Sequence, residues 1–245
     1  MNVALLVGTK GMGRALARQM AARGDRVFLL GRNLEELERS AADLSVRGGV
    51  PKVGVAACDL EDPSTFGPAL DAAADEMGAI HCVVVTAGMF GTQEALEADL
   101  ELARRVMTVN YVNTVLFCEH AKRRLLARGG GVLCVFSSVA GDRGRKPVAL
   151  YGSGKAGLSH YLESLDHKHR SAGLVTICVK PGFVKTGMTE GLKPPPFAGE
   201  PEGVATRVLA AIDRKQPLVY APAMWGLILW VIGWLPRFVM RRVGF

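Results

Sequence analysis

The chain lacks an apolar run that comfortably spans a bilayer. Its longest, residues 221–235, carries Trp225, Trp230 and Trp234 and stops at Pro236. As a helix it would reach roughly 22 Å, against a hydrocarbon core of about 30 Å, so spanning is disfavoured. Paired cysteines are also missing. The five (Cys58, Cys82, Cys118, Cys134, Cys178) are odd in number and show no CxxC spacing. They read as small buried hydrophobes in a reducing compartment, and no metal site is expected. No leader is visible: residues 2–7 are too short for one and run straight into a glycine loop. Repeats and long linkers are absent. The basic residues form no aromatic-interleaved stripe, so nucleic acid is not an expected partner. Acidic residues are in deficit, 23 against 30 Lys and Arg, for a net charge of +7. That balance suits anionic cofactors or acidic membranes without choosing between them. At 245 residues the chain can bury a full core.

What is present alternates strand and helix. Residues 2–7 read as a buried strand, followed by Gly8-Thr9-Lys10-Gly11-Met12-Gly13 and a helical pattern over 14–23. Glycines at such a turn let a backbone approach a pyrophosphate, whose charge the helix N-terminus favours. Residues 26–30 are the second strand. An NAD site often has a carboxylate about here for the ribose 2′-hydroxyl. This chain instead reads Leu30-Gly31-Arg32-Asn33. An Arg there suits a 2′-phosphate, and Lys10 adds a second cation, so NADP (NADPH) is expected over NAD. The alternative for Arg32 is an ordinary solvated residue at a helix start. Further strands are expected at 52–57, 80–85, 131–136 and 174–179, with helices over 33–46, 63–77, 100–128 and 151–170. Asp59-Leu60 follows the third strand, and Asp59 suits either a bond from an adenine amino group or a turn cap. Thr86-Ala87-Gly88 ends the fourth, where small residues admit a ribose. The alternation implies an α/β fold, a Rossmann-type doubly wound parallel sheet of about seven strands with helices on both faces. Ligands should lie beyond the carboxyl ends of its strands.

The chemistry gathers between Ser138 and Lys155. Tyr151 and Lys155, four apart on a helix, share one face. An ammonium beside a phenol, joined by the positive charge of an oxidised nicotinamide ring, would bring its pKa from about 10 toward working pH, where proton transfer is effective. Ser138 would supply a hydroxyl for the substrate oxygen. A Tyr-x-x-x-Lys pair alone is common on helix surfaces. Asn110, in mid-helix, reads as a surface residue or a local distortion.

In this order the glycine turn, Asp59-Leu60, Ala87-Gly88, Asn110, Ser138, Tyr151-x-x-x-Lys155 and Pro181-Gly182-x-Val184-x-Thr186 resemble the short-chain dehydrogenase/reductase family over nearly the whole chain. The resemblance implies that hydride passes between nicotinamide C4 and a carbonyl carbon. Tyr151 would be the general acid in ketone reduction. Lys155 would lower its pKa and bind the nicotinamide ribose. Ser138 would polarise the carbonyl, and Asn110 would hold a water in a proton relay. Pro181, Gly182, Val184 and Thr186 would line the nicotinamide and diphosphate side. Two departures stand out. The usual turn is Gly-x-x-x-Gly-x-Gly, whereas Gly8 and Gly11 are one residue closer. The usual Asn-Ala-Gly is Thr86-Ala87-Gly88.

A narrower resemblance, to reductases acting on decaprenylphosphoryl 2-keto-ribose, rests on residues 137–143, 151–158 and the tail from Leu218. It implies a lipid-linked keto sugar as substrate, with a small-molecule ketone as the broader class. Arg143, Arg145 and Lys146 would then meet a lipid phosphate, unless they form a solvated basic loop. Residues 186–199, with Pro194-Pro195-Pro196, form a mobile lid or a rigid connector. Residues 202–214 resume a helix, and 217–220 add an edge strand. Residues 1–220 thus make the dinucleotide-binding and catalytic unit, with 221–245 an apolar, basic tail. Trp beside Arg in that tail suits a membrane interface or a subunit contact. The expected setting is cytoplasmic, peripheral at the inner face of the cell membrane, as a homodimer or homotetramer. An alternative function is a catalytically silent cofactor-binding regulator or scaffold.

Overall fold

The computed structural model describes residues 1–50, 52–195 and 197–244; of the proline run, Pro196 lies outside them. Its centre is a seven-stranded sheet, parallel throughout: β1 (Asn2–Leu6), β2 (Arg26–Gly31), β3 (Gly54–Ala57), β4 (Cys82–Val85), β5 (Gly131–Phe136), β6 (Leu174–Pro181) and β7 (Leu218–Ala221). The spatial order is β3-β2-β1-β4-β5-β6-β7, so the winding reverses between β1 and β4. That reversal opens a crevice at the carboxyl ends of the strands.

The helices are α1 (Gly11–Ala22), α2 (Leu34–Gly48), α3 (Phe66–Met77), α4 (Gln93–Ala98), α5 (Leu100–Met107), α6 (Thr114–Ala127), α7 (Ala149–His169), α8 (Pro201–Arg214), α9 (Met224–Trp234) and α10 (Arg237–Met240). Alternating side chains split the core in two. Val3 and Leu5 face the layer of α1, α2 and α8, against Leu16, Met20, Leu37 and Val208. Ala4 and Leu6 face the layer of α3, α6 and α7, against Phe66, Leu70, Phe117 and Leu158. All five cysteines are buried and unbridged within these layers. Burial, the largest cause, pushes the Cys58 and Cys82 thiols up to about 12, which suits packing rather than nucleophilic work.

The expected helix over 100–128 is three pieces. Between α5 and α6 the backbone widens into a π-helical turn, Thr108–Asn113. Asn110 sits there and is 1% exposed, so it marks a distortion and not a surface. β7 is the edge strand read from the sequence. The tail is shorter in helix than its apolar run: Pro236 separates α9, 11 residues, from α10. Among the described residues no helix is long and apolar enough to cross a membrane.

Candidate active site

The turn after β1 explains the irregular glycine spacing. Counting four residues back from Gly11 reaches Val7, not Gly8. Val7 holds φ +64, a left-handed conformation that a β-branched residue rarely takes. The pattern is therefore not shortened; a valine stands where it has its first glycine. Gly8 instead packs into the core, where a Cβ would come within 2.7 Å of both Leu5 and Leu29. Gly11 has φ +50 and faces Thr186, and a Cβ on Gly13 would lie 2.0 Å from the Val7 carbonyl. Gly13 thus lets α1 pack against the turn. Thr86, in the place of the usual Asn, donates to the carbonyls of Leu6 (3.0 Å) and Val7 (2.8 Å). The hydroxyl thus clamps the strained turn to the end of β4.

Around this turn Thr9, Lys10, Arg32, Asp59, Leu60, Ala87 and Gly88 line one cavity of about 290 Å³. Val7, Asn33, Glu36 and Glu61 line it too. Asn33 caps α2 by accepting from the Glu36 N–H. Lys10 pairs with Glu36 at 2.8 Å, and Arg32 with Glu61 at a loose 3.8 Å. Both cations stay largely exposed, at 69% and 72% of their side chains. Arg105 holds Glu61 through two bonds, leaving the Arg32 fork weakly engaged. Asp59 Oδ1 accepts from the Glu61 N–H, so this side chain does cap a turn while bordering the cavity. Met12 packs against the sheet core instead of lining the cavity.

The catalytic side lies across the crevice. Asn110 accepts from the Met89 N–H (2.8 Å) and donates to the Met89 carbonyl (2.7 Å), clasping the loop that carries Ala87 and Gly88. A Cβ on Gly88 would sit 3.3 Å from Asn110 Oδ1 and 3.6 Å from Lys155 Nζ, so the three meet at one point. Ser138 caps a single 3₁₀ turn, Val139–Gly141, by accepting from the Ala140 N–H. Tyr151 lies in the first turn of α7 and meets the Phe90 ring edge-on at 5.3 Å. Lys155 Nζ is 5.9 Å from the Tyr151 ring centroid and donates to the Phe136 carbonyl at 3.0 Å.

Without the positive charge of an oxidised nicotinamide ring beside it, the phenol does not move down. Burial pushes Tyr151 up to about 12, and a hydrogen bond with Ser138 only partly opposes it. Lys155 is buried as well and is drawn down to about 8, chiefly by desolvation. Its hydrogen bond goes to a carbonyl and not to the phenol. Among the protein's own groups, then, desolvation outweighs the lysine's field, and Tyr151 is held as a proton donor.

The loop after β6 closes the crevice. Gly182 donates to the Ala221 carbonyl, Val184 is buried, and Thr186 reaches Gly11. Residues 185–199 leave and return at one point, since Lys185 donates to the Gly199 carbonyl and Gly199 to that of Phe183. The basic loop is tied to the tail, although Lys146 remains exposed. Arg143 donates to the Leu235 carbonyl (2.7 Å) and Lys146 to that of Arg241 (2.6 Å), at the C-terminal ends of α9 and α10. Arg145 is half-buried, and its Nε has no partner.

Several contributors were not picked out from sequence. Gln93 accepts from the Leu150 N–H at the start of α7, steadying the turn that bears Tyr151. Asp142 pairs with Lys180 and accepts from the Tyr220 hydroxyl, tying the catalytic loop to β6 and β7. Trp225 from α9 lies on Gly182, where a Cβ would fall 2.1 Å from the indole Nε1. No local pattern marks a Gln, an Asp or a Trp whose partner is about 40 or more residues away.

The cradle fits a dinucleotide: a cavity bordered by cations at the glycine turn, small residues at Ala87 and Gly88, and a phenol–amine pair beyond. The comparisons agree. The model of the short chain dehydrogenase family matches residues 2–196. An uncharacterized oxidoreductase of Mycobacterium tuberculosis is 34% identical over 243 residues, covering 98% of this chain and 96% of that one. Carbonyl reductase family member 4 of Danio rerio is 30% identical over 236 residues, 93% of this chain and 94% of its own. In fold the chain is similar to actinorhodin polyketide ketoreductase, solved with NADPH, with a TM-score of 0.80 and 22% identity over 92% of this chain and 97% of that one. With the family model matching most of its length and relatives at 30–34% identity along nearly all of it, this chain belongs to the short chain dehydrogenase family and is an oxidoreductase.

Proposed function

We propose that the protein is an NADPH-dependent reductase that converts a ketone to a secondary alcohol. The observation that carries this reading is the geometry of Tyr151, one helical turn from the buried Lys155, whose Nζ lies 5.9 Å from the centroid of its ring. The bound dinucleotide supplies a hydride. Tyr151 Oη then gives its proton to the substrate oxygen, which Ser138 Oγ orients. Lys155 and Asn110 hold the Gly88–Met89 backbone and the cofactor ribose in register. Lys10 and Arg32 would take the 2′-phosphate, and Gly11, Gly13 and Thr186 the diphosphate.

The substrate we favour is a keto sugar on a polyprenyl-phosphate carrier, with the protein working peripherally at the inner face of the cell membrane. Arg145 is the member of the basic loop whose Nε is still unpartnered, and it would meet the carrier phosphate. Residues 186–199, of which Pro196 lies outside the described residues, would serve as the lid in place of a rigid connector. Exposed Met107, Tyr111, Val112 and Leu116 on the α5–α6 side offer an apolar face to a second copy, consistent with a homo-oligomer.

The test is Tyr151→Phe. Consumption of NADPH with a panel of ketones is expected to fall by about 10²–10⁴-fold, while NADPH binding, followed by fluorescence, stays within a few fold. A variant that binds NADPH and turns over at the wild-type rate would refute the assignment. A wild-type protein that binds NADPH and reduces no ketone would favour the regulatory alternative.

A further inference from the structure

We infer that α9 and α10 form a surface that docks flat on an anionic lipid bilayer. Trp230 and Trp234, one turn apart on α9, are 64% and 76% exposed, and Phe238 on α10 is 61% exposed. The two indoles touch edge to face at 6.5 Å, making one patch. Arg237, Arg241 and Arg242 are exposed along the same segment. No acidic residue follows Asp213, so every charged side chain in this part of the chain is cationic. Eleven residues of α9 measure about 16 Å, roughly half a hydrocarbon core, so the element lies on a membrane and does not cross it. Indoles at headgroup depth with arginines beside them suit that position.

Charge selects the occupant. A second copy docked by this patch across a two-fold axis would bring two all-cationic surfaces together with no carboxylate to pair them. An anionic headgroup layer instead meets three cations and a row of aromatic rings. The surface is also ordered in advance, because Arg143 and Lys146 bind the closing carbonyls of α9 and α10. Docking therefore orders little new chain. The inference rests on the lipid-linked reading for its biological setting, but its measurement uses no turnover.

The three tryptophans of the chain all lie in this tail, so its intrinsic emission reports on the tail alone. The full-length protein is mixed with vesicles of phosphatidylcholine, with or without phosphatidylglycerol, and followed by emission and flotation. A blue shift and flotation are expected with phosphatidylglycerol, at least about tenfold weaker binding without it, and loss of that preference in high salt. Arg237→Gln with Arg241→Gln and Arg242→Gln should make the two vesicle types equivalent. Trp230→Ser with Trp234→Ser should abolish flotation while melting and NADPH binding hold. Wild-type protein that floats with neither vesicle overturns the inference. So does a Trp230→Ser/Trp234→Ser protein that floats normally but has a smaller particle size, which would assign the patch to a second copy. Flotation without reduction of a lipid-linked ketone leaves the docking surface standing and removes that substrate; reduction without flotation does the reverse.

Discussion

Lys155 is the residue on which stability and chemistry pull in opposite directions. Its amine is 3% exposed and held at about 8, against 10.5 in an unfolded chain. Folding therefore favours the neutral amine. The cost of burying the charge is full below pH 8 and fades as pH rises to 10.5. At about 1.4 kcal/mol per unit, its upper bound at neutral pH is roughly 3 kcal/mol. Lys155→Met should thus melt higher than wild type at pH 7, with the gap closing between pH 8 and 10.5, while reductase activity is lost. Calorimetry across that range checks the sign; a variant that melts lower at pH 7 contradicts it. Arg32 offers a separate test. Its fork is weakly engaged by Glu61, so replacing it removes a ligand contact more than a fold contact. Arg32→Asp should weaken NADPH binding by about 10–100-fold and leave NADH within a few fold. Equal losses for both cofactors would remove the 2′-phosphate from this position.

At the scale of the element, the π-helical turn Thr108–Asn113 matters most. An α-helix places its side chains at a fixed pitch; one widened turn resets the phase and aims Asn110 inward at Met89. Asn110→Ala would leave the Met89 N–H and carbonyl without their partner. A loss of about 2 kcal/mol, or roughly 4–8 °C in Tm, is expected by thermal melting. An unchanged Tm would mean that the clasp contributes nothing. Elements were also where sequence was most and least legible. Period-2 and period-3.6 apolar patterns revealed the sheet and its covering helices because burial imposes them. The turn after β1 reads as one residue short in sequence because Val7, and not a glycine, holds the left-handed conformation four residues before Gly11.

For the whole molecule, Ser138, Tyr151 and Lys155 could be picked out as candidates because one short stretch carries them all. The phenol's pKa could not, since it depends on how much protein surrounds the oxygen, a property of the assembled fold. Nor could the basic loop, whose partners Leu235 and Arg241 lie about 90 residues onward. The seating of α9 on the β6 loop belongs to this scale. Gly182→Ala would push against the Trp225 indole, so the tail should loosen. A red-shifted emission with greater acrylamide quenching, together with lower reductase activity, is the expected outcome. Emission and activity like those of the wild type would show that the contact yields without consequence.

That seating also sets a timetable. Trp225 comes 43 positions after Gly182. At about 5–20 residues per second, the loop after β6 waits roughly 2–9 seconds during synthesis for the aromatic weight that rests on it. The glycine turn and the cavity beside it, built from β1 to β4, are complete in sequence well before then. A nascent chain thus owns one finished half of its crevice while the other is still unbraced.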